Sequence, residues 1–202
     1  MTSPAVTAPV VLIDLIPGLR NRALVRNAVI VVAFALLTAA LAQVRFSLGF
    51  TPVPITGQTL AVLLAGASLG MARGAASQAL YWVLGLTGLP FYNGATGGWE
   101  AGTGATFGYL MGFIVAAALV GHLAERRHDR QIVSSLSAMA LGTAVIYAMG
   151  SLWLARHLGI AVATGDNNAI ALGVTPFVVG DAIKMLIAGA ATPAVWALVS
   201  RR

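Results

Sequence analysis

Uncharged apolar runs separated by short polar breaks organise this chain. Residues 27–44 carry no charge over eighteen positions and end at Arg45, which is enough helix to cross a hydrocarbon core. Pro52 and Pro54 then interrupt the pattern. Proline disfavours helix at the residue before it, so 46–56 reads as an extended loop. Two runs follow at 57–71 and 74–88, with Arg73 marking a tight turn between them. Residues 89–106 hold Gly94, Gly97, Gly98, Gly102 and Gly104 with Trp99 and Glu100, and read as a second irregular loop. A run at 107–124, a charged turn at 125–130 and a run at 132–155 come next. A polar connection at 156–175 leads to the last apolar run, 174–199. The pattern predicts an all-α integral membrane protein. Six transmembrane helices form a single bundle over 26–202, preceded by a cytoplasmic tail, 1–25, with Pro4, Pro9 and Pro17.

Composition supports the membrane reading. The 202 residues are 58% hydrophobic and 9% charged, with mean hydropathy +0.87, against about 25% charged in soluble domains. A net charge of +6 does not imply nucleic acid here, because the arginines cluster at the ends of apolar runs. Arg20, Arg22, Arg26, Arg73, Arg126, Arg127, Arg130, Arg201 and Arg202 fall on one side, Arg45 and Arg156 on the other. That bias predicts a multi-pass cell-membrane protein with both termini cytoplasmic. No Lys or Arg occurs in the first nineteen residues, and Asp14 and Pro17 break the short apolar stretch, so no cleavable signal peptide is expected. Cysteine is absent, which removes disulfides and thiolate metal sites.

Asp181 and Lys184 are the only charges in the last apolar run. Three residues apart on a helix, they share one face. A lone ion at the middle of a membrane helix costs about 3 kcal/mol on insertion scales, so the pair is either a buried structural ion pair or a ligand site. With cytoplasmic termini, Asp181 lies about 9 Å below the outer end of its helix, at 1.5 Å rise per residue, beneath both irregular loops. That geometry favours capture from outside. Small residues spaced by four, Ala35 with Ala39, Gly66 with Gly70 and Gly108 with Gly112, permit close helix approach. Most such pairs are internal, and the first helix is the candidate for docking another protein. Gly66-Ala67-Ser68-Leu69-Gly70 matches a hydrolase elbow in letters, but it lies inside an apolar helix with His122, His128 and His157 at helix ends or in loops. The histidines lack metal-ligand spacing, and no phosphate-binding loop or redox motif is present.

Several stretches together resemble a known family. They are Pro52-Val53-Pro54-Ile55-Thr56-Gly57-Gln58-Thr59, then Leu63-Leu64-Ala65-Gly66 with Gly70, Arg73 and Gly74, then Tyr81, Gly85 and Gly88-Leu89-Pro90-Phe91. Gly97-Gly98, Gly108-Tyr109-Leu110, Gly112-Phe113, Pro176-Phe177, Gly180-Asp181 and Lys184 continue the series in order. The chain resembles the biotin-specific S-components (BioY) of energy-coupling factor (ECF) transporters. Where that family reads Pro-Thr-Gly-Gly-Tyr before the fourth helix, this chain reads Ala105-Thr106-Phe107-Gly108-Tyr109.

The resemblance implies a non-enzymatic, six-helix subunit that binds biotin from outside. It implies delivery through a transmembrane coupling subunit and two ABC-type ATPases, with ATP used by the partners and no cofactor of its own. Ala35 and Ala39 match the docking pattern of the first helix. A solitary or homo-oligomeric role stays open. Biotin's ureido ring has two N–H donors and a carbonyl, and its tail ends in a carboxylate. Asp181 suits an N–H, and Lys184 the ring carbonyl or the carboxylate, with the carbonyl preferred here. Gln58, Asn93 and Tyr109 are further contacts, Tyr81 and Trp99 flank the ring, Phe91 stands at the mouth, and 46–56 is a lid. The alternatives are an S-component for another vitamin, or a small intramembrane enzyme using Asp181 as acid or base.

Overall fold

A computed structural model describes residues 11–15 and 23–199. Its helices are α1 (Ala23–Gln43), α2 (Gln58–Leu69), α3 (Met71–Leu86), α4 (Trp99–Thr103), α5 (Phe107–Glu125), α6 (Ile132–Leu158), α7 (Ala169–Gly173) and α8 (Val178–Val199). Short 3-10 turns occupy Leu12–Leu15, His128–Arg130 and Thr175–Phe177. Two strands, β1 (Arg45–Phe46) and β2 (Ile55–Thr56), pair antiparallel with Arg45 opposite Thr56.

Helix α5 sits at the centre, against α2, α3 and α6; α8 closes on α6 and α2, and α1 on α3 and α2. Close approach rests on small residues. A side-chain carbon at Gly66 would lie 2.7 Å from the Ala117 carbonyl oxygen, so α2 and α5 touch backbone to backbone there. Polar side chains join α1 to α3: the Thr38 hydroxyl donates to Gln78 Oε1 at 3.2 Å, and Gln78 Nε2 donates to Ser77 Oγ at 3.1 Å. The periphery is apolar. Val29, Val32 and Leu36 on α1, and Val179, Ile183 and Leu186 on α8, all face outward, as lipid-facing positions must.

Among the described residues, four helices are long and apolar enough to cross a membrane: Leu24–Gln43, Phe107–Glu125, Ile132–Leu158 and Ala169–Val199. With 12 and 16 residues, α2 and α3 reach only about 18 and 24 Å, against a core of about 30 Å. The expected six crossings are therefore four by length, with α2 and α3 as a shorter hairpin.

Three expectations need correction. The turn between α2 and α3 lies at Gly70, not Arg73. Gly70 has φ 82° and ψ 178°, a backbone state open to glycine and strained for other residues, and Glu125 Oε1 accepts the Met71 N–H at 2.9 Å. Arg73 belongs to α3, with Nε on the Leu69 carbonyl at 2.8 Å and Nη1 on Asp14 Oδ1 at 3.2 Å. That bond holds the described part of the expected tail, 11–15, beside α2 and α8, with Val11 buried. The irregular loops are also partly ordered, by α4 in one and by α7 in the connection after α6. Finally, Ala35 and Ala39 do not face outward. They are 0% and 7% exposed and belong to the core, so their spacing serves internal packing. The small residues α1 does expose, among those described, are Ala28, Ala33 and Ala40.

The two ends of the bundle differ in charge. Arg73, Arg126, Arg127 and Arg130 gather at the end holding the Gly70 turn and the α5–α6 turn, whereas Arg45 and Arg156 mark the other. At the arginine-rich end Asp129 is buried, accepts a hydrogen bond from Trp196 Nε1, and leaves its Oδ1 without a partner. Burial pushes its carboxyl above the usual range, opposed by the Trp196 bond and by Arg130 and His128.

Candidate functional site

Asp181 lies in the first turn of α8, where helix polarity favours a negative charge, and is 4% exposed. Lys184, one turn on, reaches back to Asp181 Oδ1 at 2.6 Å. The pair does not stand alone. Thr59 Oγ1 from α2 donates to Asp181 Oδ1 at 2.8 Å, and the Tyr147 hydroxyl from α6 donates to Oδ2 at 2.7 Å. Lys184 Nζ donates also to the Thr56 carbonyl at 2.6 Å, tying α8 to β2. Helices α2, α6 and α8 thus meet at one carboxylate.

This polar wall closes one side of a cavity of about 600 Å³, part of it open to solvent. The other walls are apolar and aromatic, from Val53, Pro54, Leu110, Phe113, Ile146 and Phe177. Four tyrosines also line it, with hydroxyls mostly committed to fixing the rings. Tyr81 accepts from Gln58 Nε2 at 2.7 Å, Tyr109 donates to the Gly173 carbonyl at 2.7 Å, and Tyr92 donates to the Trp82 carbonyl at 2.6 Å. Tyr81 and Tyr92 meet edge to face with centroids 5.8 Å apart. Burial lifts the Tyr92 phenol to about 12, so it stays neutral.

The mouth is built from two loops. In 46–56, the Thr51 hydroxyl donates to the Leu172 carbonyl at 2.8 Å, clipping the Pro52–Pro54 stretch to α7. The loop after α3 is gripped by Gln43: its Nε2 donates to the Tyr92 carbonyl at 3.1 Å, and its Oε1 accepts from the Ala95 N–H at 2.8 Å. Asn93 is thereby held at the cavity edge. A wider outer crevice of about 730 Å³, lined by Glu100 and His157 among others, shares Tyr92, Asn93 and Thr106 with the cavity.

The structure brings Asp181, Lys184, Gln58, Asn93, Tyr81 and Tyr109 together around one space. It does not bring Trp99 or Phe91 there. Trp99 is 73% exposed at the start of α4, and Phe91 packs against the core beside the loop instead of lining the cavity. An aromatic residue near a mouth signals stacking only if its loop turns it inward. Residues missed by sequence reasoning are Thr59, Tyr92, Phe113, Ile146, Tyr147 and Phe177. Phe177 had a signal: it precedes Asp181 by four residues, close to one helical turn.

The BioY family model matches residues 13–201, nearly the whole chain. The chain belongs to the BioY family. A biotin transporter BioY from Rhizobium etli is 39% identical over 171 residues, covering 81% of this chain and 89% of the relative. A relative of the same description from Rhodobacter capsulatus is 36% identical, covering 81% and 90%, and one from Thermotoga maritima is 35% identical, covering 77% and 86%. Among solved structures, an S-component for biotin from an ECF-type ABC transporter superposes with TM-score 0.77 at 23% identity. It covers 88% of this chain and 94% of that one, so the two share a fold.

Proposed function

We propose that this chain is the substrate-binding membrane subunit of a biotin uptake system. It captures biotin from the outer face and hands it inward with an ATP-driven module, a transmembrane coupling subunit and two ABC-type ATPases. The carrying observation is the wall formed by Asp181 and Lys184 on a largely apolar, tyrosine-lined cavity that Gln58 and Asn93 also border. Biotin presents the complement: a flat polar ring with N–H and carbonyl groups, an apolar sulfur-containing ring, and a carboxylate tail. Asp181 accepts from the ring, Lys184 donates to its carbonyl, Gln58 and Asn93 serve the remaining polar groups, and Tyr81 and Tyr109 bound the rings. A site built for these hydrogen bonds rejects analogues that lack them, because its own polar groups then stay buried and unpaired.

Capture alone needs no reacting group. Asp181 is engaged as an acceptor by three donors, which suits a fixed ligand contact better than an acid or base. The arginine bias supports a cell-membrane orientation with both termini, and the 1–25 segment, in the cytoplasm. The α2–α3 hairpin then completes six crossings of a substrate-binding domain over 26–202. With Ala35 and Ala39 buried, the outward face of α1 around Ala33 and Ala40 is the surface for the coupling subunit.

Calorimetric titration of the purified chain with biotin tests the reading, after assay for biotin carried through purification. Tight binding that is lost in Asp181→Asn and Lys184→Ala supports it. An absence of both bound and titratable biotin rejects the vitamin assignment.

A further inference from the structure

Asp181 makes more hydrogen bonds than a pairing with Lys184 requires. A carboxylate offers about four acceptor positions over two oxygens. Oδ1 receives Thr59 and Lys184, at 2.8 and 2.6 Å. Oδ2 receives only Tyr147, at 2.7 Å. One acceptor position is left, on Oδ2. The Lys184 ammonium has three protons, of which Asp181 and the Thr56 carbonyl take two. One donor is left. Both vacancies belong to side chains lining the same cavity.

An acceptor beside a donor is the complement of one edge of a cyclic urea, a single N–H next to its carbonyl. Resting on the biotin reading, we propose that Tyr147 is a positioning residue that leaves Asp181 one open acceptor, so this wall reads one ureido N–H and the carbonyl but not the second N–H. The Tyr147 hydroxyl lies on α6, whereas Asp181 and Lys184 lie on α8. Its bond pins Oδ2 from the neighbouring helix and stops the carboxylate turning about its own bond. Bonds to a charged acceptor are the strong kind, so the orientation is well held. Without the phenolic proton, Oδ2 offers two loosely directed positions in place of one fixed one. The second ring N–H faces away from Asp181, towards walls where its loss leaves no charged group unpaired.

The test uses two cyclic carbamate analogues of biotin, in each of which one ureido N–H is replaced by ring oxygen without change of size. Titrated into the purified full-length chain, one analogue is expected to bind about a hundredfold more weakly than biotin, since its oxygen faces a carboxylate. The other is expected to stay within about tenfold. Equal losses for both would overturn the single-acceptor wall, and this comparison needs no variant. In Tyr147→Phe, which keeps the ring, biotin is expected to lose about tenfold while the strongly rejected analogue barely changes, so discrimination narrows. A variant that weakens biotin and both analogues equally, with the ratios intact, would show Tyr147 to be merely structural and overturn its role. If the wild-type chain fails to bind biotin at all, the biotin reading falls and this inference with it. If it binds biotin with ratios unchanged in Tyr147→Phe, only the Tyr147 assignment falls.

Discussion

Removing the two charges of the polar wall singly and together separates a structural ion pair from a ligand site. In Asp181→Asn, the Lys184 ammonium keeps the Thr56 carbonyl but loses its counter-ion, with 16% of its side chain exposed. Removing one partner of a buried pair costs about 3–5 kcal/mol, mostly the penalty of the charge left behind. In Lys184→Met, Asp181 still holds Thr59 and Tyr147. The loss is then nearer one charge-assisted bond, about 1.5–3 kcal/mol. Simple addition predicts about 4.5–8 kcal/mol for the double variant. The structure predicts less, because no ion is stranded when both go: a shortfall of about 2–3 kcal/mol, within the coupling measured for residues in contact. The assay is denaturant unfolding of the four proteins in one detergent, followed by biotin titration of each. A double variant that recovers stability and stays unable to bind shows a pair kept for its ligand. Additivity within about 0.5 kcal/mol would refute the coupling drawn here, and a double variant that still binds biotin tightly would reduce the pair to architecture.

Two further outcomes follow from packing and charge. A side-chain carbon at Gly150 would collide with the ring of Tyr109, so Gly150→Ala is expected to cost about 1–3 kcal/mol as overpacking and to weaken biotin binding by displacing a cavity wall; unchanged affinity and melting temperature would contradict it. Burial raises the Asp129 carboxyl above its unfolded value, so the fold binds that proton more tightly and gains from it fully below the unfolded pKa. The gain is lost as pH rises through the folded value. Asp129→Asn, which keeps an acceptor for Trp196, is therefore expected to flatten the fall of melting temperature with rising pH over that window; an unchanged slope would show that Asp129 does not cause it.

How much of this was legible in sequence depends on what each residue reports. Asp181 and Lys184 announced themselves, because an ion in an apolar run has few explanations. The loops announced themselves too, through Pro52, Pro54 and the glycines that bar helix. Direction was harder to read. Ala35 and Ala39 have the spacing of a contact surface, yet spacing says only that a neighbour comes close, and here both are buried in the core of the same chain, where α1 packs on α3 and α2. Trp99 has the chemistry of a stacking partner but sits on the outer side of α4, 73% exposed.

Tyr147 was missed for the opposite reason. In an apolar run a tyrosine reads as a core ring with a polar tip, and nothing local to α6 shows that its hydroxyl meets a carboxylate 34 residues away. The cost of burying an ion makes that meeting intelligible afterwards. Asp181 alone would be expensive, and Lys184 alone supplies one donor to it. The fold adds Thr59 from α2 and Tyr147 from α6, so the carboxylate is satisfied from three helices while a place on Oδ2 stays open. A site meant only to hold the bundle together would gain by filling that last position with a fourth donor from the chain. Leaving it vacant, beside a vacant proton of Lys184 and next to a cavity, is the arrangement expected where the missing partner comes from outside.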